Sequence, residues 1–472
     1  LFRGSLTEHS DYKTRDYRVT NTRFREQDFK AGIGYQKSNF KTEFRYNVNS
    51  SKLGIPEEIG EQSLRKTPLL PFQNITNHVF SSKSTLFFND SRLDVNLGYI
   101  YNDRKEFEDH HGDESEEEHE DDAVLEAALH MKLKTANYDI KYNLTKLGKF
   151  ETIVGIQGMN QVNTNYGEEQ LIPDATTNDF GVLATSHIHF ETADVQLGVR
   201  FDKRNLNVVS GIQKDFNSFN GALGIKTDIA KNITARLNLA TGFRAPNLSE
   251  LTSDGTHEGT NRYEVGNSNL KSEQNFQADI ALEYKNEHIE LFANGFYNKI
   301  NNYIFLSPNG SIINDNPVFD YLQDDARLYG GEIGLHIHPH PLDWLHIETS
   351  FETVTGKQTN DLYLPLIPAN SLTNTLRIEF EKPWFKNAYT FIKLRTTFNQ
   401  NNITVFETPT SGYNLLSAGL GGDFTLFKKV ATITLSGTNL TNETYINHLS
   451  HLKPDGIFNM GRNINIGLTY NL

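Results

Sequence analysis

The chain has 472 residues, of which 37 % are hydrophobic and 11 % aromatic, with a net charge of −14 and no cysteine. The missing cysteines exclude disulfides and thiolate metal sites, so any metal must be held by His, Asp or Glu. The acidic balance makes nucleic acid an unsuitable partner, and no window approaches the roughly 18 uninterrupted apolar residues of a membrane helix.

A chain of this length ordinarily divides into two to four domains. A large membrane β-barrel is the exception, because it grows by adding hairpins and its strands need only about ten alternating residues each. A low apolar fraction rich in Phe and Tyr suits strands with one apolar and one wet face. The chain opens on Leu1 with neither an initiating Met nor a signal peptide, as expected of a mature or trimmed fragment.

In chain order, the first clear strand signal is "RLDVNLGYIYND". It sets Leu93, Val95, Leu97, Tyr99 and Tyr101 against Asp94, Asn96 and Asn102. The stretch "EFEDHHGDESEEEHEDD", Glu106 to Asp122, follows with eleven carboxylates, three histidines and no lysine or arginine. It carries all but about −3 of the net charge, so the acidity is a local device and not a property of the fold. Alternation returns in "NITARLNLATGF", with Ile233, Ala235, Leu237, Leu239 and Phe243 opposite Thr234, Arg236, Asn238 and Gly242. It recurs in "VATITLSGTN" and in the final "FNMGRNINIGLTYNL", where Ile464, Ile466 and Leu468 face away from Asn463, Asn465 and Gly467. About twenty such segments occur, with no convincing amphipathic helix.

The connections alternate in length. Tight turns are expected near 37–39, 89–91, 147–149, 191–193, 286–287, 340–342, 382–384 and 427–429. Long polar loops are expected near 49–76, 104–122, 163–177, 205–213, 244–271, 306–318, 359–369, 402–411 and 440–457. Short turns on one rim and long loops on the other predict an all-β, transmembrane antiparallel barrel of the outer membrane, in contact with outer-membrane lipid. A soluble sandwich or propeller accounts for the alternation but not for this short–long order.

Four separated stretches resemble the barrel of TonB-dependent outer-membrane receptors, in that family's order and spacing. They are "ATGFRAPNLSEL" (240–251), "YEVGNSNLKSEQ" (263–274), "LPLIPANSL" (364–372) and "GTNLTNETYINHLS" (437–450). Within the family, "SKLGIPEE" (51–58) and "GTHEGTNRYEVGN" (255–267) are most similar to the zinc-uptake receptors, which also carry a His- and acid-rich extracellular loop at the matching place. The resemblance implies a 22-stranded barrel filled by an N-terminal plug, in the bacterial outer membrane, energised by a TonB-type coupling protein. Residues 1–472 are expected to be barrel alone, with 104–122 an extracellular loop within it. The plug, its energy-coupling box and the first hairpin are expected to be missing. The chain ends on Leu472 where the family usually has an aromatic, with Tyr470 close by.

Zinc without thiolate needs imidazole and carboxylate ligands at about 2 Å. The acidic loop offers His110, His111 and His119 among Glu106, Glu108, Asp109, Asp113, Glu114 and Glu116–Glu118. This ligand density without fixed spacing suits exchangeable capture, and its negative field concentrates cations. Calcium would use the carboxylates but leave the imidazoles unexplained. His257, with Glu258 beside it, matches the histidine that the resemblance assigns to a metal site between barrel and plug. His448 and His451 stand three apart on a late loop, and Glu126 opens the strand after the acidic loop; both are candidates for the metal path. His130, His187, His189, His336, His338, His340 and His346 read as rim, lumen or strand residues. Arg236 and Arg244 read as luminal partners for plug carboxylates.

Three other functions compete. Haem receptors of the family place a histidine between an FRAP box and an NPNL box, and this chain has "FRAP" (243–246), His257 and "NSNL" (267–270). Haem, whose propionates are negative, has no use for eleven carboxylates. Copper or a siderophore-bound iron complex would also suit His-rich loops. A passive porin-like barrel would lack the receptor motifs. Ser186–His187 has no supporting third group, so no enzymatic activity and no tightly bound cofactor are expected.

Overall fold

The computed structural model describes every residue except 57–58, 109–125, 168–169, 171, 258–261, 314 and 471–472. Period-two alternation is realised as one large sheet of 22 strands. The first eleven are β1 Phe2–His9, β2 Phe24–Lys37, β3 Phe40–Gly54, β4 Phe72–Phe87, β5 Arg92–Phe107, β6 Leu129–Asn143, β7 Phe150–Asn165, β8 Ala175–His189, β9 Ala193–Val208, β10 Gln213–Ala230 and β11 Ile233–Arg244. A helical turn, α1 Leu248–Thr252, and a small hairpin, β12 Asp254–His257 and β13 Arg262–Val265, interrupt the series. It resumes with β14 Glu273–Lys285, β15 Ile289–Ile313, β16 Asn316–Ile337, β17 Leu345–Gln358, β18 Ser371–Lys382, β19 Phe385–Thr397, β20 Tyr413–Leu426, β21 Lys429–Thr438 and β22 Asn463–Tyr470.

Apart from β12 and β13, the twenty strands form an antiparallel meander in which each pairs with its neighbours, β11 passing directly to β14. Among the described residues β1 and β22 do not pair with each other, so the sheet is not closed. Loops nevertheless bridge this seam at the long-loop rim. The Tyr12 hydroxyl donates to the Phe458 carbonyl at 3.0 Å, and Gly461 N–H donates to the Lys13 carbonyl at 2.8 Å.

The outward parity is apolar and open: Ile33, Phe219, Ile280, Ile333, Ile392 and Ile466 are each more than half exposed. A side chain costs nothing in this position when its solvent is hydrocarbon. Tyr35, Phe88, Phe190, Trp344, Trp384 and Phe427 stand exposed at the short-turn ends of their strands, as an interfacial aromatic girdle does. The inward parity carries ion pairs such as Arg204–Asp179 at 2.6 Å and Arg236–Glu283 at 2.9 Å, which suit a wet lumen.

The turns fall where the sequence places them, but two of the nine loops differ. Residues 209–212 form a tight connection, and the expected loop near 306–318 is an extension of the β15–β16 hairpin. Cross-strand pairs there run from Tyr303↔Asp324 to Pro308↔Phe319 and, after a register shift, to Ile313↔Asn316, carrying both strands beyond any membrane thickness. The final strand begins at Asn463 rather than at Phe458.

The apolar cores lie at the long-loop rim, where loops fold onto the wall. One gathers Leu206, Val208, Phe216, Leu251, Leu270 and Ile304, and the other Ala326, Leu364 and Ile367. A wide lumen lined by polar side chains leaves no central apolar core to build.

Candidate metal centres

The segment carrying His257 is built from a rigid corner. β11 ends at Arg244, Ala245 is buried, and Asn247 caps α1: its side chain accepts from Glu250 N–H at 2.8 Å while Glu250 accepts from Asn247 N–H at 2.8 Å. This reciprocal capping box fixes where the chain turns back. Arg244 then clamps the corner, with Nη1 2.8 Å from Glu250 Oε1 and Nη2 2.5 Å from Glu273 Oε1. Its partners are therefore carboxylates of the barrel itself, and Arg236 likewise pairs with Glu283 of β14, so neither arginine waits for an outside carboxylate.

Beyond the corner, β12 and β13 form a hairpin in which His257 pairs with Arg262. β13 also runs parallel to the outer end of β16, Tyr263↔Val318 to Val265↔Asp320, which fastens the hairpin to the wall. The Tyr321 hydroxyl donates to Glu264 at 2.7 Å, and Arg262 Nε donates to the other Glu264 oxygen at 2.8 Å. Gly266 makes the closure possible, because a Cβ there would stand 2.5 Å from the backbone nitrogens of Thr252 and Ser253. Glu258 lies outside the described residues.

The acidic loop rises from β5 and returns to β6 on the same rim. Asp109, His110, His111, Asp113, Glu114, Glu116–Glu118 and His119 lie outside the described residues. Its stem is defined. Glu106 is buried, accepting from Gln73 at 2.6 Å and from Arg104 at 3.1 Å, so it anchors the loop and is not free to meet an ion. Glu108 has a partner of its own. Glu126 is exposed and precedes β6, which starts at Leu129; the expectation that it opens the strand is corrected accordingly.

His448 and His451 are not brought together as ligands among the described residues. His448 is buried, with Nδ1 2.8 Å from the Thr410 hydroxyl and 3.1 Å from Lys453 Nζ. A lysine ammonium against the ring nitrogen opposes a second cation there. Nδ1 accepting from these groups leaves the hydrogen on Nε2, which faces Glu407 Oε1 at 3.7 Å. His451 is exposed.

Imidazoles do converge at the opposite, short-turn rim. Ligand atoms of Glu151, His187 and His189 all lie within 4.8 Å of one another, as do those of His288, His338 and Asp343. His187 and His189 sit two apart on β8, so both face the lumen, and His189 Nδ1 lies 2.7 Å from Asp194 Oδ1. From sequence, His187, His189 and His338 read as rim, lumen or strand residues, and His288 receives no role. The signal that finds them is His-x-His on a strand beside a short turn.

A family model described as "TonB dependent receptor-like, beta-barrel" matches residues 2–440. The chain belongs to this family. Its members are outer-membrane transporters and not enzymes, which makes the long-loop rim of this receptor extracellular and the short-turn rim periplasmic. Solved structures of similar shape include the copper transporter OprC, at 15 % identity and TM-score 0.81 over 99 % of this chain and 75 % of that one. The FrpB iron transporter from Neisseria meningitidis matches at 13 % identity and TM-score 0.75, over 99 % and 76 %. A double mutant of the Serratia marcescens hemophore receptor HasR, in complex with its hemophore HasA and heme, matches at 12 % and 0.72, over 99 % and 75 %. Identities this low establish the shared fold alone.

In the receptor, the quoted stretches take on structural work. "FRAPNLSEL" is the clamped corner, "LPLIPANSL" supplies buried Leu364 and Ile367, and Asn439 in "GTNLTNE" accepts from Glu443 N–H at 2.7 Å to close the last loop's neck.

Proposed function

We propose that this receptor imports a transition-metal ion, zinc in the first place, through a barrel formed by residues 1–472 in which segment 104–122 is the capture loop. The observation that carries this reading is that the stem of the acidic loop and the β12–β13 hairpin, whose first strand ends at His257, stand on the same extracellular rim. The loop's carboxylates concentrate cations, and its imidazoles select a borderline-soft ion over calcium or magnesium. His257, on a hairpin held by β16 and the Arg244 corner, offers the next ligand toward the lumen, with Glu258 beside it. Inward movement draws on the TonB-type coupling protein that serves the family.

Calorimetric titration of zinc, copper and haem into the receptor tests this reading. Zinc binding should weaken when His110, His111 and His119 are replaced by alanine, and separately with His257→Ala. Haem is the second reading, supported by a lone imidazole between "FRAP" and "NSNL". Haem binding lost with His257→Ala, with zinc ignored, would replace the zinc reading. Preference for copper over zinc, both lost in the loop variant, would keep the capture mechanism and change the ion.

A further inference from the structure

We propose that the periplasmic rim carries a second metal site, in which His288, His338 and Asp343, with His340 beside them, bind a late transition-metal ion such as zinc. The cross-strand register builds it. Glu290↔His336 and His336↔Glu348 are paired residues, and the next luminal row toward the rim runs from His288 across His338 to His346 and Arg377. The backbone N–H of His338 donates to the His288 carbonyl at 2.9 Å, extending the pairing one step past the strands. His288, His336, His338 and His346 share the parity of Glu332 and Glu352, opposite to outward-facing Ile333 and Ile347, so these imidazoles face the lumen, while His340 stands exposed in the turn.

The rings crowd one another and satisfy one another only in part. Ring centroids lie 5.9 Å apart for His288 and His338, 5.5 Å for His288 and His340, and 5.4 Å for His336 and His338. His336 Nε2 and His346 Nδ1 share a hydrogen bond at 3.0 Å, yet His346 Nε2 and His288 Nδ1 are buried with no hydrogen-bond partner. A buried ring nitrogen left unpaired loses its hydration for nothing in return.

Asp343 faces one of these unpaired nitrogens, His288 Nδ1. Its carboxylate oxygens lie 3.8 Å from His288 Nδ1 and 3.5 Å from His340 Nδ1, too far for hydrogen bonds. Two ligands of one tetrahedral zinc, each about 2.0–2.2 Å from the ion, stand roughly 3.4 Å apart. The gaps are of the size an ion fills with small side-chain rotations. Glu379 Oε2, 3.7 Å from His346 Nε2, repeats the spacing at the edge of the patch. Imidazole with one or two carboxylates is a donor set for zinc, copper or nickel, and not for calcium, which takes oxygen alone.

Upstream along the same strands stand Glu290 and Glu348, then Glu332 and Glu352, each two or four residues further into the lumen. A cation leaving the barrel along β15–β17 therefore passes carboxylates before reaching imidazoles. The site shares with the function proposed above only the class of ion; it would hold metal whatever the extracellular loop captures.

Zinc chloride titrated into the purified, folded chain tests the site, using His288→Gln combined with His338→Gln and, separately, the alanine loop variant. The expected result is one zinc fewer per chain in the rim variant, with or without the loop histidines. Asp343→Asn, in an exposed turn that leaves the strand pairing intact, should weaken that zinc by at least about tenfold and guards against a misfolded double variant. Zinc number and affinity unchanged in both rim variants would overturn the proposal. Loop variants that bind zinc like the parent while rim variants lose one ion would overturn the capture step alone and support the rim site.

Discussion

Arg244 at the end of β11 holds Glu250 of α1 through Nη1, 2.8 Å from Oε1 and 2.9 Å from Oε2. The same guanidinium reaches Glu273 of β14, so one side chain joins the strand, the helical turn and the next strand of the meander. Both carboxylates are nearly buried, and Glu250 also closes the capping box.

Arg244→Ala leaves Glu250 and Glu273 as uncompensated, poorly hydrated charges. Breaking a buried pair costs about 3–5 kcal/mol, and the partly exposed guanidinium lowers this to about 2–3 kcal/mol. Urea unfolding from detergent should show that loss, with faster amide exchange concentrated in 245–272. Arg244→Lys should recover part of it, because lysine supplies the charge without the fork.

A second anchor lies beside the open seam. Arg23 and Asp11 form an ion pair with both side chains fully buried, Arg23 Nε donating to Asp11 Oδ1 at 2.9 Å. Asp11→Ala should destabilise segment 10–23 by about 3–5 kcal/mol, since it strands the guanidinium. Removing both partners with Asp11→Leu and Arg23→Met should cost less than Asp11→Ala alone. Limited proteolysis of the folded receptor orders the variants.

His448 gives a pH dependence of defined sign. Burial holds it below the usual histidine range, the Lys453 ammonium adds to the effect, and Glu407 works in the opposite direction. The unfolded loop therefore takes up a proton at higher pH than the folded one. The contribution of this contact is complete above the unfolded value of about 6.5 and falls as pH drops through it, levelling off once the folded ring also protonates. Corrected for intrinsic exchange, which slows on acidification, amide exchange in 443–460 measured from pH 7.5 to 5 should show an extra acceleration in the parent. In His448→Gln that extra acceleration should vanish.

Much of the architecture was legible because period-two alternation is the one pattern that separates lipid from lumen. Ile464, Ile466 and Leu468, predicted on one face, are exposed at 64, 76 and 63 % on the outward side. Turn positions were legible for the same reason, being where alternation breaks. The loop expected at 306–318 was misread because Pro308, Asn309 and Gly310 signal a turn in any context, yet here they form an irregularity within β15, and pairing with β16 resumes beyond them to Ile313↔Asn316. Arg244 was misassigned because its carboxylates, Glu250 and Glu273, are 6 and 29 residues away and meet only through the corner. The rim histidines were missed for a related reason. His288 and His338 are strangers in sequence, and only the register of β15 against β16 makes them neighbours.

Zinc accumulation tests the central claim most directly: cells expressing the full receptor are compared with cells carrying the loop and His257 variants, with and without the coupling protein, at limiting zinc. The account predicts receptor-dependent accumulation that falls several-fold in either variant and disappears without the coupling protein. Accumulation that is equal in parent and variants, or indifferent to the coupling protein, would contradict it.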